Sequence, residues 1–152
     1  MSLGEMPPRV VLVDDEAVLV SLFSRYLGRT YQVERFCSSS EALRYLQSNS
    51  AEILICDLIM PQLNGLDLAH EARQLHPGIK VILISGLTPD RWPPGLDTSM
   101  RDVDAFLGKP VSLASLGECC ARLLQTDPPD NDRHAKKDKA PAWECRSLAL
   151  RA

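Results

Sequence analysis

Short apolar runs alternate with helix-periodic segments along most of this chain, and that alternation restricts the fold more than any single motif does. Arg-Val-Val-Leu-Val (9–13), Ile-Leu-Ile-Cys (53–56) and Lys-Val-Ile-Leu-Ile-Ser (80–85) are too short for core helices and too apolar for half-solvated strands. They read as strands buried on both faces. Residues 31–36 favour β-structure but carry interspersed charges, as an edge strand does. Ala-Phe-Leu-Gly (105–108) makes a fifth strand. Between these, residues 17–27 are apolar at 19, 22, 23, 26 and 27, and Gly28 suits the position just past a helix end. Ser38 and Glu41 stand at capping-box spacing before a second helix. Residues 65–75 are apolar at 66, 68, 69, 72 and 75, and Leu113, Leu116, Cys120, Leu123 and Leu124 share one face of a last helix starting near Ser112.

Strand and helix in strict alternation imply a parallel sheet covered on both faces, with right-handed crossovers. The expected fold class is α/β: a doubly wound five-stranded parallel sheet, flavodoxin-like (βα)5, in strand order 2-1-3-4-5. The fourth helix is the exception. Residues 86–97 include Pro89, Pro93, Pro94 and Gly95, which no helix interior tolerates. The sequence therefore predicts an irregular or short helix, placed late, at about 97–103. Trp92 in this stretch is read as a lid over its own loop, with a partner anchor as the other reading. The expected domain spans residues 8–125. Residues 1–7 form an N-terminal extension, with Met1 to Leu3 allowed as an expression remnant. Residues 126–152 are expected to be a flexible polar tail, with a weak helical patch at 143–150 and no second domain.

Composition narrows the function classes. A hydrophobic content of 45% suffices for one core. A net charge of −3 offers no general basis for nucleic-acid binding. No apolar run reaches the roughly 20 residues of a membrane helix. Five cysteines, odd in number and without C-x-x-C spacing, disfavour a disulfide framework or zinc site and favour a reducing, cytoplasmic setting.

The chemistry gathers at the carboxyl ends of the strands, where such sheets bind ligands. Asp57 closes the third strand, and Asp14, Asp15 and Glu16 follow the first. In the expected strand order these two strands are neighbours, so Asp14, Asp15 and Asp57 converge. Converging carboxylates repel unless a cation compensates, and an all-oxygen donor set suits Mg²⁺ before Ca²⁺. Asp57 beside such an ion can act as a carboxylate nucleophile toward phosphorus. Ser85 and Lys109, ending strands four and five, can contact phosphoryl oxygens. Each residue alone has an ordinary explanation as a turn, helix cap or solvent-facing stop. Four of them at the ends of strands one, three, four and five are hard to explain that way together.

These residues carry a resemblance. Val-Asp-Asp-Glu (13–16), Asp57 with Met60-Pro61 and Asn64-Gly65, Ile84-Ser85-Gly86 and Lys109-Pro110 resemble the receiver domain of two-component response regulators, over about residues 8–125. The resemblance implies Asp57 as phosphoacceptor, Asp14 and Asp15 as the acidic pair for Mg²⁺ joined by the Ile59 backbone carbonyl, and Lys109 as the phosphate-contacting lysine. It implies Ser85 as the switch hydroxyl and Phe106 as the switch aromatic. The phosphodonor would be a histidine kinase or histidine phosphotransfer protein. The output would be an unknown protein or fused domain, with no DNA-binding domain in this chain and a homodimer left open. The expected function is a phosphorylation-dependent switch with self-catalysed phosphotransfer and slow autodephosphorylation, not an enzyme. A degenerate receiver scaffold is the alternative. A Mg²⁺-dependent phosphohydrolase is less favoured, since position 59 is Ile where such an enzyme wants a second Asp. Ile59 and Leu87, flanking the phosphoryl group, are expected to give a long-lived phosphoform. Cys56 should point away from the site into the core.

Overall fold

The computed structural model describes residues 6–96 and 100–125 and the backbone of Arg146–Ser147. The elements run β1 (Arg9–Val13), α1 (Ala17–Leu27), β2 (Gln32–Phe36), α2 (Ser39–Ser48), β3 (Ile53–Asp57), α3 (Gly65–Leu75), β4 (Lys80–Ser85), β5 (Ala105–Gly108), α4 (Leu113–Leu124) and β6 (Arg146–Ser147). The sheet order is β2-β1-β3-β4-β5-β6. The first five strands are parallel, in the 2-1-3-4-5 order that the alternation implies.

Strand alternation divides the core into two layers. Val11, Val13, Leu54, Cys56 and Leu83 face α2 and α3, meeting Leu46, Leu68, Ala69 and Ala72. Val10, Leu12, Ile53, Ile55, Ile82 and Ile84 face α1 and α4, meeting Phe23, Leu27, Leu116 and Cys120. Every residue of β3 is buried, which is why that strand is apolar throughout and not alternating. β2 lies at the sheet edge and is mostly half-buried, so its charges stay solvated.

Helix starts follow local chemistry. Ser38 Oγ accepts from Glu41 N at 3.4 Å, Asn64 Oδ1 from Asp67 N at 2.9 Å and Ser112 Oγ from Ser115 N at 3.0 Å. Each satisfies an amide that the first helical turn leaves without a partner. Gly28 closes α1 with φ −64, inside the right-handed region. A side chain there is opposed by contact, since a Cβ would lie 2.8 Å from Ser24 O.

Two expectations need correction. The short helix in the proline-rich segment comes early, as a 3-10 turn at Pro89–Arg91, not late. Pro89 sits in the first helical turn, where a missing N–H costs nothing, and Pro93-Pro94 prevents extension. Of the 97–103 span, residues 97–99 lie outside the described residues, and the rest is a turn closed by Val103 N donating to Met100 O at 3.1 Å. The second correction concerns 143–150. Its described residues, Arg146 and Ser147, pair antiparallel with Phe106 and Ala105 along the outer edge of β5. That edge offers unpaired backbone groups which a helix could not use. The remainder of 126–152 lies outside the described residues.

Candidate functional site

At the carboxyl edge of the sheet, the β1–β3 pairing brings Asp14 alongside Asp57. Asp14 is 2% and Asp57 7% exposed, unusual burial for carboxylates, whereas Asp15 is exposed. One oxygen from each of Asp14, Asp15 and Asp57 lies within 4.8 Å of the others. Lys109, just past β5, enters the same cluster. Its Nζ is 3.2 Å from Asp14 Oδ2, 3.2 Å from Asp57 Oδ2 and 3.4 Å from Glu16 Oε1.

The charges are unbalanced. Burial raises the pKa of Asp57 above its usual range, Lys109 counters this, and Asp15 adds to the rise. Asp14 is likewise raised, by burial first and by the Asp57 charge, against the Glu16 N–H that donates to it at 2.9 Å. Lys109 shifts upward: burial acts to lower it, but the Asp14 and Asp57 carboxylates outweigh that influence. One ammonium therefore serves three neighbouring carboxylates, two of them buried. Compact, all-oxygen and carrying surplus negative charge, this donor set fits a hard divalent cation.

The other expected site residues occupy three settings. Ser85, at the end of β4, is buried, and its Oγ accepts from Leu87 N at 3.0 Å. Its backbone oxygen accepts from Lys109 N at 2.8 Å, tying the ends of β4 and β5 together. Phe106 lies in the core layer facing α2 and α3, with its ring 6.0 Å from that of Trp92 at 49°. Trp92 is buried and donates Nε1–H to Leu87 O at 3.0 Å, so it is a lid over its own loop. Ile59 and Leu87 are exposed apolar side chains. Cys56 faces the α3 side, its thiol directed to Gly65 O at 3.6 Å and its pKa pushed far up by burial. Three further residues contribute: Glu16 and Gly65, which stand within the sequence motifs but had no role assigned there, and Ser39, which had no signal in the sequence. Glu16 reaches Lys109, Gly65 packs directly on Asp57, and Ser39 touches the loop after β3.

The family model of the response regulator receiver domain matches residues 10–120. The chain is 34% identical over 119 residues to sensor kinase CckA of Brucella abortus, covering 76% of this chain and 12% of that protein. It is 29% identical over 133 residues to the transcriptional regulatory protein GlrR of Escherichia coli, covering 86% of this chain and 29% of that one. The chain thus spans less than a third of these first relatives. It spans 96% of response regulator receiver protein CpdR of Brucella abortus, at 28% identity over 117 residues and 76% of this chain. Among solved structures, the receiver domain of hybrid histidine kinase CckA aligns at 31% identity and TM-score 0.63, covering 77% of this chain and 99% of that one. The response regulator protein TrrA of Thermotoga maritima, solved in complex with Mg²⁺ and BeF, aligns at 27% identity and TM-score 0.67, covering 76% of this chain and 98% of that one.

Proposed function

The chain belongs to the response regulator receiver family, and on that premise we propose that it is a phosphorylation-operated signalling switch whose phosphoacceptor is Asp57. One observation carries the reading: a buried Asp57 carboxylate lies 3.2 Å from Lys109 Nζ and within 4.8 Å of the Asp14 and Asp15 oxygens. This combines a nucleophile, a cation for the incoming group and a cation-binding pair at one sheet edge. The receiver unit is residues 8–125. The donor is a phosphohistidine on a histidine kinase or phosphotransfer protein, and the setting is cytoplasmic.

An Asp57 oxygen attacks phosphorus in line. The new O–P bond forms as the N–P bond to the donor imidazole breaks, and the imidazole leaves with its electron pair and takes a proton. Lys109 contacts a phosphoryl oxygen as charge shifts onto the group. Asp14, Asp15, Asp57 and the Ile59 carbonyl would hold Mg²⁺, which supplies charge neutralisation there. Ser85 already uses an oxygen lone pair on Leu87 N, so its proton is free to donate to the acyl phosphate. Drawing Ser85 inward perturbs Leu87, whose carbonyl holds Trp92 above Phe106. Through these contacts a local charge change reaches the surface near β5. The output partner, whether a separate protein or a fused domain, reads that surface, and a homodimer is one form it can take.

Incubation with Mg²⁺ and acetyl phosphate, followed by intact mass, tests the reading. A single base-labile phosphoryl adduct is expected, absent from Asp57→Asn. No adduct would indicate a degenerate scaffold, and rapid multiple turnover a phosphohydrolase. The adduct should persist for minutes or longer, because the exposed Ile59 and Leu87 side chains hinder the attacking water. Loss within seconds at neutral pH overturns that shielding. Lys109→Gln should slow adduct formation by roughly 100-fold, the usual effect of losing one charge-stabilising donor, and an unchanged rate would remove Lys109 from the chemistry.

A further inference from the structure

The loop from β3 to α3 is held at two places. At its base, Leu58 N donates to Ile84 O at 2.8 Å and Gly65 N to Leu58 O at 2.8 Å. At its tip, Leu63 N donates to Pro61 O at 2.9 Å across Gln62, whose φ is +72. An i to i+2 turn with positive φ is the rare, strained kind of γ-turn, and glutamine has no intrinsic preference for it. Such a conformation persists only where its surroundings impose it.

Ser39, in the first turn of α2, imposes it. Its side chain is almost wholly buried, at 1% exposure. Its Oγ donates to Pro61 O at 3.2 Å and accepts from Leu63 N at 3.3 Å, so one hydroxyl spans both ends of the turn. Next to it, Ser40 Oγ donates to Gln62 Oε1 at 2.6 Å. Only Ile59 and Met60 lie between the peptide anchored at Leu58 and the carbonyl anchored at Pro61, and Met60 is buried in the α2–α3 core layer. With both flanks fixed, the Ile59 peptide has little freedom.

We propose that Ser39 is a positioning residue for the divalent cation: by clamping the strained turn at Gln62, it orients the Ile59 backbone carbonyl toward the acidic cluster. The inference rests on the receiver reading, which assigns that carbonyl to Mg²⁺. It concerns binding, so it can be measured without a phosphodonor.

Calorimetric titration of Mg²⁺ into the full chain tests it. Ser39→Ala should weaken Mg²⁺ binding by about tenfold, the usual scale for a residue that orients a ligand. Ser39→Cys, close in size but a weaker hydrogen-bonding group, should fall between Ala and wild type, and it serves if the Ala variant does not fold. In Ser39→Ala, adding Gln62→Gly should restore most of the affinity, because glycine adopts positive φ without strain. A purely structural serine would change the melting temperature and leave the Mg²⁺ midpoint alone. Mg²⁺ binding within twofold of wild type in both Ser39 variants overturns the proposal, as does a double variant no better than Ser39→Ala. Wild-type protein that binds Mg²⁺ and forms the Asp57 adduct while the Ser39 variants match it overturns the positioning role alone. Wild-type protein that does neither overturns both readings.

Discussion

Asp57→Asn is expected to melt at a higher temperature than wild type at pH 7 while losing all phosphoryl uptake. Asp57 is 7% exposed, and burial raises its pKa above the usual 3.8 even with Lys109 beside it. A carboxyl whose pKa is higher folded than unfolded favours folding fully below pH 3.8, and that contribution is lost as pH rises through the folded value. At neutral pH the ionised Asp57 therefore opposes folding, and an amide of the same shape removes the opposition. Lys109 keeps Asp14 at 3.2 Å and Glu16 at 3.4 Å, so the substitution does not strand its charge. The increase should be roughly 2–6 °C for a domain of this size, and it should shrink as pH approaches 4. Added Mg²⁺ should raise the wild-type melting temperature more than that of the variant. Thermal melts at pH 7 and pH 4, with and without Mg²⁺, measure all of this. A variant less stable than wild type at pH 7 would mean that the Lys109 pair outweighs the burial of Asp57.

Gly65→Ala should cost about 3 kcal/mol of stability, near the upper end for overpacking. A Cβ at Gly65 would lie 2.4 Å from the backbone oxygen of Asp57 and 2.7 Å from Leu83 Cδ1. The leucine can yield, but the Asp57 carbonyl belongs to a fully buried central strand. Relief requires α3 to lift off β3, which also strains the Gly65 N to Leu58 O hydrogen bond at 2.8 Å. The peptide that moves is that of the proposed phosphoacceptor, so phosphoryl uptake should fall together with stability. Gly78→Ala is the control. Nothing lies within 4 Å of a Cβ at that position, and a change within about 0.5 kcal/mol is expected. Denaturant unfolding of the two variants gives the comparison, and equal stabilities would remove the steric argument.

Gly65 also shows where sequence reasoning stops. Asn64-Gly65 reads as a turn or helix start, and α3 does begin there, capped by Asn64. The reason for glycine is the close approach of the β3 backbone at Asp57, which no local pattern encodes. Pro89 is similar. Four prolines and glycines argue against a long helix, correctly, yet only the chain path shows that Pro89 opens a 3-10 turn while Pro93 and Pro94 prevent its extension. Trp92 could have pointed to solvent by its sequence context. It is buried because Leu87 O accepts its indole N–H and Phe106 supplies a ring to pack on.

By itself, the sequence determined the five parallel strands, their order and the gathering of carboxylates at one edge. Continuous apolar runs can be satisfied only between two helical layers, and right-handed crossovers then leave few topologies. A polar residue ending such a run must lie at the sheet edge, and that alone places Asp14, Asp57, Ser85 and Lys109 there. Tertiary structure alone decided the contacts among side chains far apart in sequence. Lys109 lies between two carboxylates, Ser39 clamps the turn at Gln62, and Trp92 covers Phe106. Periodicity specifies which face of an element is buried. It does not specify which atom of a distant element lies opposite, because that depends on how the completed layers pack.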